Sequence, residues 1–171
     1  MFDDVKNKKL LYHLTSIKNL PGILVEGLKA RAHLSGFDDV ADPEIIDGRK
    51  ALGLESLVPF HWFAGNPFDG RVQVDRRGET FLLISVRRSL AEQRNWKVIP
   101  FHPLASHDIR LLDYRVGFES IDWSVMSERD YHEPNSKSVC MPNASLIKPS
   151  RRKISSRFSF RAISLPIRSF S

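Results

Sequence analysis

Cysteine is nearly absent from this sequence of 171 residues. Cys140 is the only one, so no intrachain disulfide can form, and its apolar surroundings favour a buried thiol over a nucleophile. Metal-binding patterns are missing too, because the six histidines form neither an H-x-H nor an H-E-x-x-H cluster. The chain also lacks a G-x-S-x-G elbow, a Walker loop and a G-x-G-x-x-G turn. These absences argue against a disulfide scaffold, a metalloenzyme, a serine hydrolase and the common nucleotide-binding loops.

Long apolar runs are lacking as well. The longest obvious one, Phe81 to Val86, is too short to cross a membrane, and Met1 to Lys6 lacks the apolar stretch of a signal peptide. With 42% hydrophobic residues the chain can nevertheless bury the core of one domain. We therefore expect a soluble, cytoplasmic protein with no membrane partner.

The most informative stretch that is present runs from Tyr12 to Leu28 and reads Y-H-L-T-S-I-K-N-L-P-G-I-L-V-E-G-L. Its apolar beginning predicts a strand that ends on the polar pair His13 and Thr15. Asn19 can cap a following helix, Pro21 fits the first turn, and Gly27 suits the position after the last turn. The pattern predicts a short helix with Ile23, Leu24 and Leu28 on one apolar face.

This stretch resembles the opening motif of the DarT family of DNA ADP-ribosyltransferases, in which a His/Thr pair holds NAD and an L-P-G-I-L-x-x-G-L helix follows. Further matches come in the same order along the chain. Ile45 to Lys50 resembles the family's basic segment, Leu57 to Phe63 its V-P-F-Y-F strand, and Ile121 to Trp123 an I/L-D-W element. The resemblance covers roughly residues 10 to 141. One departure is that the family's usual S-P-M after the V-P-F strand is Asn66-Pro67-Phe68 here.

The resemblance implies a single α+β domain with the split, mixed sheet of PARP-like ADP-ribosyltransferases, flanked by short helices. It also implies NAD as co-substrate and no metal. By family position His13, Leu14 and Thr15 would bind NAD, Gly22 would allow close approach of the backbone, and Arg49 would both contact NAD and act in catalysis. The implied partners are DNA, expected to be single-stranded, and a macrodomain antitoxin, because the family members are toxins of toxin–antitoxin systems.

The final family motif is broken. After Met141 the family expects an A-E-[FC]-L-[VI] strand with a catalytic Glu, but the chain reads Pro142-Asn143-Ala144-Ser145, which places Asn143 at the Glu position. Met-Ala-Glu-Cys-Leu can be written ATG GCC GAA TGC CTC, and loss of one G gives ATG CCG AAT GCC TC, which encodes Met-Pro-Asn-Ala-Ser. We therefore hypothesise a single-base deletion that leaves an incomplete catalytic domain, residues 1–141, and an out-of-frame tail, residues 142–171.

The tail differs in composition from the rest of the chain. Residues 142–171 contain seven Lys and Arg, eight Ser and no acidic residue, so they hold more than the whole net charge of +6. Few apolar groups there can offset the entropy of ordering the chain, so we expect the tail to be disordered. A basic arm that binds DNA is the alternative to the out-of-frame interpretation.

Two other functions remain open. His13-Leu14-Thr15-Ser16 and Arg31-Ala32-His33-Leu34-Ser35 echo the H-x-T-S and R-x-H-x-H-L-S motifs of RNA 2′-phosphotransferases, whose fold is related. The missing Glu is also compatible with a pseudoenzyme that binds NAD or nucleic acid. The V-P-F segment and the L-P-G-I-L helix favour a DNA ADP-ribosyltransferase, impaired in this copy by the loss of the Glu.

Periodicity and turn residues predict mixed elements without regular alternation. Ser35 to Pro43 is predicted as a flexible stretch that can cover NAD, and Gly65 to Gly78 as a long loop or hairpin whose arginines, Arg71, Arg76 and Arg77, can meet phosphates. Phe60, Trp62 and Phe63 are expected in the core, although one of them can stack on nicotinamide. The predicted strands are Lys9–Leu14, Leu57–Phe63, Thr80–Val86 and Trp96–Ile99, and the predicted helices are Asn19–Glu26, Pro43–Leu52, Ser89–Gln93 and Asp122–Glu128.

Overall fold

The structure, a computed structural model, describes residues 4–100, 110–128 and 158–163, together with the backbone of residues 144–147. Helices and strands alternate irregularly along these segments, as expected for an α+β protein. The strands are β1 Leu10–Ser16, β2 Val58–Phe60, β3 Phe81–Arg87, β4 Ala144–Ile147 and β5 Ser159–Ile163. The helices are α1 Leu20–Glu26, α2 Pro43–Ala51, α3 Pro67–Asp75, α4 Arg88–Gln93, α5 Tyr114–Ser120 and α6 Trp123–Glu128.

The strands form two sheets, which confirms the split that the family resemblance implies, but among the described residues the strand pairing is antiparallel and not mixed. One sheet has the order β1-β3-β5 and the other pairs β2 with β4, and the strand pairs are antiparallel. The long pairing of β1 with β3 runs from Leu10 opposite Arg87 to Ser16 opposite Phe81. An isolated bridge between Tyr12 and His61 joins the two sheets. The first half of β1 therefore lies beside the residue that follows β2.

The main core lies on the side of the sheets that carries the predicted core aromatics. Phe60, Trp62 and Phe63 are at most 1% exposed, so the prediction that they are core residues is confirmed. Trp123, from the I-D-W element, packs edge-on against Trp62 with ring centroids 5.2 Å apart. The I-D-W element therefore contributes to the core, and burial of these large side chains stabilises the fold.

Arg88 is buried in this aromatic core without an acidic partner among the described residues. Its guanidinium lies 4.9 Å from the centroid of the Trp62 ring and donates to the carbonyl oxygens of Lys6, Leu10 and Trp62. Burial lowers its pKa to about 10. Through these contacts Arg88 connects the N-terminal segment, β1 and the residues just after β2. Its role is therefore structural.

Several predicted elements agree with the structure within a few residues. The strands predicted at 9–14 and 80–86 correspond to β1 and β3, and the helix predicted from Asn19 begins after Asn19 and ends before Gly27, whose φ is +86°. Leu24 is the exception on α1. It was expected on the apolar face but is 65% exposed. The side of α1 that packs against the core carries Leu20 and Ile23 instead.

Three segments differ from their predictions. The predicted loop at 65–78 contains α3, because Asn66 caps a helix whose first residue is Pro67. The predicted strand at 96–99 contributes only a bridge from Val98 to Leu112. Helix α5 was not predicted because it contains Gly117, a weak helix former; a Cβ there would come within 2.3 Å of Val98, so close packing requires this glycine.

The tail is partly ordered. Ser159–Ile163 pairs with β3 over its whole length, and the partly buried Phe158 packs against the main core. These residues thus have regular structure, which differs from the disorder expected of them. The reason is that β3 offers an unpaired edge, and backbone hydrogen bonds to it do not depend on side-chain composition. Residues 148–157 and 164–171 lie outside the described part, and the prediction for them stays a prediction.

No helix among the described residues is long and apolar enough to cross a membrane.

Candidate functional site

A cavity of about 380 Å³ opens at the end of β1, between α1, α2 and the loop of residues 35–41. Its lining includes every sequence-predicted site residue that the structure describes: His13, Leu14, Thr15, Gly22 and Arg49. Asn143, predicted at the catalytic Glu position, lies outside the described residues. The structure therefore brings together, in one cavity, residues that are spread over nearly forty positions of the sequence.

His13 lines the cavity as a neutral ring. Burial lowers its pKa from 6.5 to about 4, and its Nδ1 lies 2.8 Å from the carbonyl oxygen of Pro59. A carbonyl can only accept, so Nδ1 carries the proton and donates, and Nε2 holds the lone pair of the neutral ring. Nearby Arg49 favours the same neutral state. His13 can thus accept a hydrogen bond from a ligand hydroxyl.

Thr15 is buried beside His13 at the end of β1, where 8% of its surface remains exposed. Its Oγ1 accepts a hydrogen bond of 3.0 Å from Nδ2 of Asn19, the residue that precedes α1. This bond fixes the hydroxyl oxygen and leaves its own proton to be donated elsewhere. Among the described residues no acceptor for this proton is seen, so the buried hydroxyl is suited to orient a polar ligand group.

Gly22 lies in the first turn of α1 on the wall of the cavity. A Cβ built there meets no atom within 4 Å, so the space above its Cα is open cavity. The absence of a side chain lets a ligand approach the helix backbone directly. This geometry is compatible with the role that the family resemblance implies for Gly22.

Arg49 projects from α2 and is only 6% exposed. Its Nη2 donates to the carbonyl oxygens of Leu54 and Leu57 at 2.9 and 3.1 Å, whereas the buried Nη1 has no hydrogen-bond partner among the described residues. Burial and repulsion by Arg31 lower its pKa to about 10. Arg49 remains a cation at neutral pH, and an unsatisfied buried donor on a cation favours binding of an anion or an electron-rich oxygen.

The other charged side chains of the cavity are paired. Lys29 pairs with Glu26, Arg31 with Asp39, and Lys18 lies 3.6 Å from Asp38. No acidic residue in the described part of the chain pairs with Arg49. The positive potential available to a ligand is therefore concentrated at Arg49.

The stretch Ser35 to Pro43, predicted as a flexible cover, contributes to the cavity lining, and hydrogen bonds fix its position. Arg76, at the end of α3, donates to both carboxylate oxygens of Asp38 at 2.8 Å and to the carbonyl oxygen of Asp39 at 3.0 Å. Hydrogen bonds from Arg76 and Ser16 hold the pKa of Asp38 below its usual range. Arg76 was predicted to meet phosphate, but these contacts and its pair with Glu79 engage its guanidinium within the protein.

Sequence reasoning missed two aromatic residues of the site. His61 and Phe68 line the cavity, and their rings stack with centroids 5.5 Å apart and planes 22° apart. None of Phe60, Trp62 and Phe63, the residues considered for stacking on nicotinamide, lines the cavity. The available signal was alternation, because His61 lies two positions after Pro59 and faces the same side of the chain.

The split sheet with a cavity at the end of its first strand defines an ADP-ribosyltransferase fold. A comparison with known protein families matches residues 12–145 to the family described as "ssDNA thymidine ADP-ribosyltransferase, DarT". The chain therefore belongs to the DarT family, whose members are NAD-dependent ADP-ribosyltransferases. The match ends close to the break that the sequence motif shows after Met141. A search of curated proteins finds no match.

Solved structures show the same fold. A DarT of Thermus sp. 2.9 in complex with ADP-ribosylated ssDNA superposes with a TM-score of 0.69 at 18% identity, over 86% of this chain and 80% of that chain. The Thermus sp. 2.9 DarT in complex with NAD+ gives 0.62 at 16% identity, over 82% and 77% of the two chains. DarTG of Thermosipho africanus in complex with ADP-ribose gives 0.62 at 20% identity and covers 83% of this chain but 42% of that one.

Proposed function

We propose that this protein binds NAD in the cavity and transfers ADP-ribose to thymidine bases of single-stranded DNA. The observation that carries the proposal is the convergence of His13, Leu14, Thr15 and Gly22 with Arg49, whose buried Nη1 lacks a partner among the described residues. The family description and the Thermus structures with NAD+ and ADP-ribosylated ssDNA support the choice of co-substrate and acceptor.

In the proposed reaction the bond between nicotinamide and ribose C1′ breaks, and nicotinamide leaves with the bonding electrons. The base nitrogen then attacks the oxocarbenium-like C1′, forms the new N–C1′ bond and releases its proton to water. Neutral His13 and the Thr15 hydroxyl hold the ribose and nicotinamide end through hydrogen bonds. Arg49 orients the incoming base and stabilises it as its proton leaves.

This copy is proposed to be impaired. The transition state gains positive charge on the sugar, and a carboxylate near the ribose 2′-OH would stabilise it, but position 143 holds Asn. Asn can hydrogen-bond a hydroxyl and carries no charge. Loss of one preorganised electrostatic group costs roughly 3 to 4 kcal/mol, or about two to three orders of magnitude in rate. The single-base deletion remains our hypothesis for the origin of Asn143 and of the sequence after it.

The biological setting follows from the family. We propose that the frame-restored protein acts as the toxin of a toxin–antitoxin system in the cytoplasm, with a macrodomain antitoxin as partner. The DarTG structure supports this partner, because that chain is more than twice the length that this one covers and its complex contains ADP-ribose. Coexpression with and without a macrodomain that removes ADP-ribose from DNA tests the pairing by cell growth.

Calorimetric titration tests the NAD site. Thr15→Ala and Arg49→Ala should each weaken NAD binding, because they remove a donor from the cavity. Thr80→Ala is the matched control, since Thr80 is an exposed threonine outside the cavity lining. If Thr15→Ala and Arg49→Ala bind NAD as tightly as the control, this cavity is not the NAD site.

Mass spectrometry of oligonucleotides incubated with NAD tests the activity. The frame-restored protein, with Ala-Glu-Cys-Leu at positions 142 to 145 and the in-frame continuation, should ADP-ribosylate DNA about two to three orders of magnitude faster than the present chain. Arg49→Ala in the restored protein should abolish the gain. A restored protein that binds NAD but modifies neither DNA nor RNA would instead be a NAD-binding pseudoenzyme.

A second candidate is an RNA 2′-phosphotransferase. It is favoured by one observation: Arg31, Leu34 and Ser35, from the segment that echoes the R-x-H-x-H-L-S motif, line the same cavity. Removal of phosphate from a 2′-phosphorylated RNA in the presence of NAD would identify this activity. The same mass spectrometric assay distinguishes the two products, because only the DNA reaction adds ADP-ribose to a base.

A further inference from the structure

His61 and Phe68 form a stacked aromatic pair in the cavity wall. Their rings stack at 5.5 Å and 22°, and both residues line the cavity that contains His13 and Arg49. His61 is 7% exposed, and Phe68 is partly buried against the small apolar cluster that includes Leu14. The pair therefore presents aromatic area to whatever planar group enters this part of the cavity.

Both rings are held by rigid backbone. His61 exchanges two hydrogen bonds with Tyr12, of 2.9 and 2.7 Å, which fasten it to β1. Phe68 lies in the first turn of α3, where the Asp69 amide donates to Asn66 Oδ1 at 3.0 Å and the Gly65 amide donates to Asp69 Oδ2 at 2.8 Å. This reciprocal capping box fixes the helix start, so the two rings have little freedom to separate.

The same two positions depart from the family pattern. The V-P-F-Y-F strand has Tyr where this chain has His61, and the S-P-M segment has Met where it has Phe68. In this chain the two departing positions are in contact, as two stacked rings. The residues expected to hold NAD keep the family's residue types. The change therefore lies in the cavity wall next to those residues, because Phe68 packs against the cluster that includes Leu14.

We propose that the His61–Phe68 pair is the surface on which the acceptor base of single-stranded DNA stacks, and that it sets acceptor preference in this protein. This inference rests on the proposed function and adds two residues to it. The acceptor is assigned to the pair because stacking on aromatic side chains is a general way to hold an unstacked base. The imidazole supplies the pair's only polar atoms, so recognition relies mainly on ring area.

Fluorescence anisotropy with two single-stranded probes tests the proposal. One probe is a deoxycytidine tract with a single thymine, and the other has an abasic site in place of the thymine. Phe68→Ala should weaken binding of the thymine probe about tenfold and leave binding of the abasic probe unchanged, because only the probe that carries the base can stack on the pair. Phe68→Tyr should retain binding, since it keeps the ring. Phe160→Ala is the control, an exposed phenylalanine on β5 outside the cavity lining.

Three results would overturn the proposal. Equal weakening of both probes would mean that Phe68 contacts the DNA backbone or only maintains the fold, and thermal unfolding of Phe68→Ala would distinguish these two explanations. Loss of NAD affinity with unchanged DNA binding would assign the pair to nicotinamide. Failure of the unmodified protein to prefer the thymine probe would exclude base stacking. The proposed function is judged separately, by NAD titration of Thr15→Ala.

Discussion

The side chain of Asn19 forms hydrogen bonds with both backbone polar groups of Asp38. Its Nδ2 donates to the Asp38 carbonyl oxygen at 2.8 Å, and its Oδ1 accepts from the Asp38 amide at 2.9 Å. The same Nδ2 also donates to Thr15. One side chain thus connects the end of β1, the start of α1 and the loop over the cavity.

Replacing Asn19 with Ala should therefore loosen this loop and weaken NAD binding by about tenfold, equivalent to about 1.4 kcal/mol. The physical reason is that binding would then have to order a loop that Asn19 holds in place in the unmodified protein. Calorimetric titration with NAD measures the effect. Arg71→Ala, which removes only an exposed ion pair with Asp75 on α3, should leave the affinity unchanged.

Gly22→Ala should separate stability from binding. The substitution has room in the structure and replaces a poor helix former, so the free energy of unfolding should rise by up to about 1 kcal/mol. The new methyl group would project into the cavity and should weaken NAD binding. Gly70→Ala, in α3 and also without atoms near its Cβ, should gain similar stability without the loss of affinity. Unchanged NAD affinity of Gly22→Ala would show that the ligand does not approach α1 there.

The pKa of His13 predicts a pH dependence of stability. Its folded value of about 4 lies below the ordinary histidine value of 6.5, so the unfolded chain binds more protons between these two pH values. This contribution to stability is fully present above pH 6.5 and is lost progressively as the pH falls towards 4, by at most about 3 kcal/mol. The measurement is urea unfolding of the wild type and of His13→Gln across this range.

The comparison with His13→Gln is needed because Asp69 acts in the opposite direction. Burial raises its pKa to about 6, so its contribution to stability is present below its unfolded pKa and is lost as the pH rises through 6. Asp69 contributes equally to both proteins and cancels in the difference between them. A difference that does not change with pH would mean that His13 keeps an ordinary pKa.

The tail should contribute to stability through Phe158. Its ring lies 6.3 Å from that of Phe60 and packs on the main core, so Phe158→Ala should cost about 1 to 2 kcal/mol and lower the melting temperature by several degrees. Phe160→Ala, on the exposed side of β5, should have little effect. Truncation before Phe158 should also promote aggregation, because it uncovers the apolar edge of β3. If Phe158→Ala melts like the wild type, β5 is dispensable and the disorder expected from composition holds for it.

Local signals were sufficient for much of the fold. The start of α1 after Asn19, its end at Gly27 and the apolar runs of β1 and β3 depend on residues within a few positions, so the sequence predicts them well. A local signal for the start of α3 was also present at Asn66-Pro67. The Pro, Gly and Asp residues around it nevertheless led to the prediction of a long loop or hairpin. For α5 the local signal was misleading, because Gly117 is there to allow contact with Val98.

By itself the sequence predicted the site residues His13, Thr15, Gly22 and Arg49 from short local motifs, and the structure places all four on the wall of one cavity. The tertiary structure determined the protonation state and the hydrogen-bond partners of these residues. Burial keeps His13 neutral, leaves Nη1 of Arg49 without a partner among the described residues, and engages Arg76 with the loop over the cavity. It also placed His61 against Phe68, two side chains from different elements that no local pattern could pair. Desolvation and long-range contact arise only when distant segments meet, which is why these properties had to come from the structure.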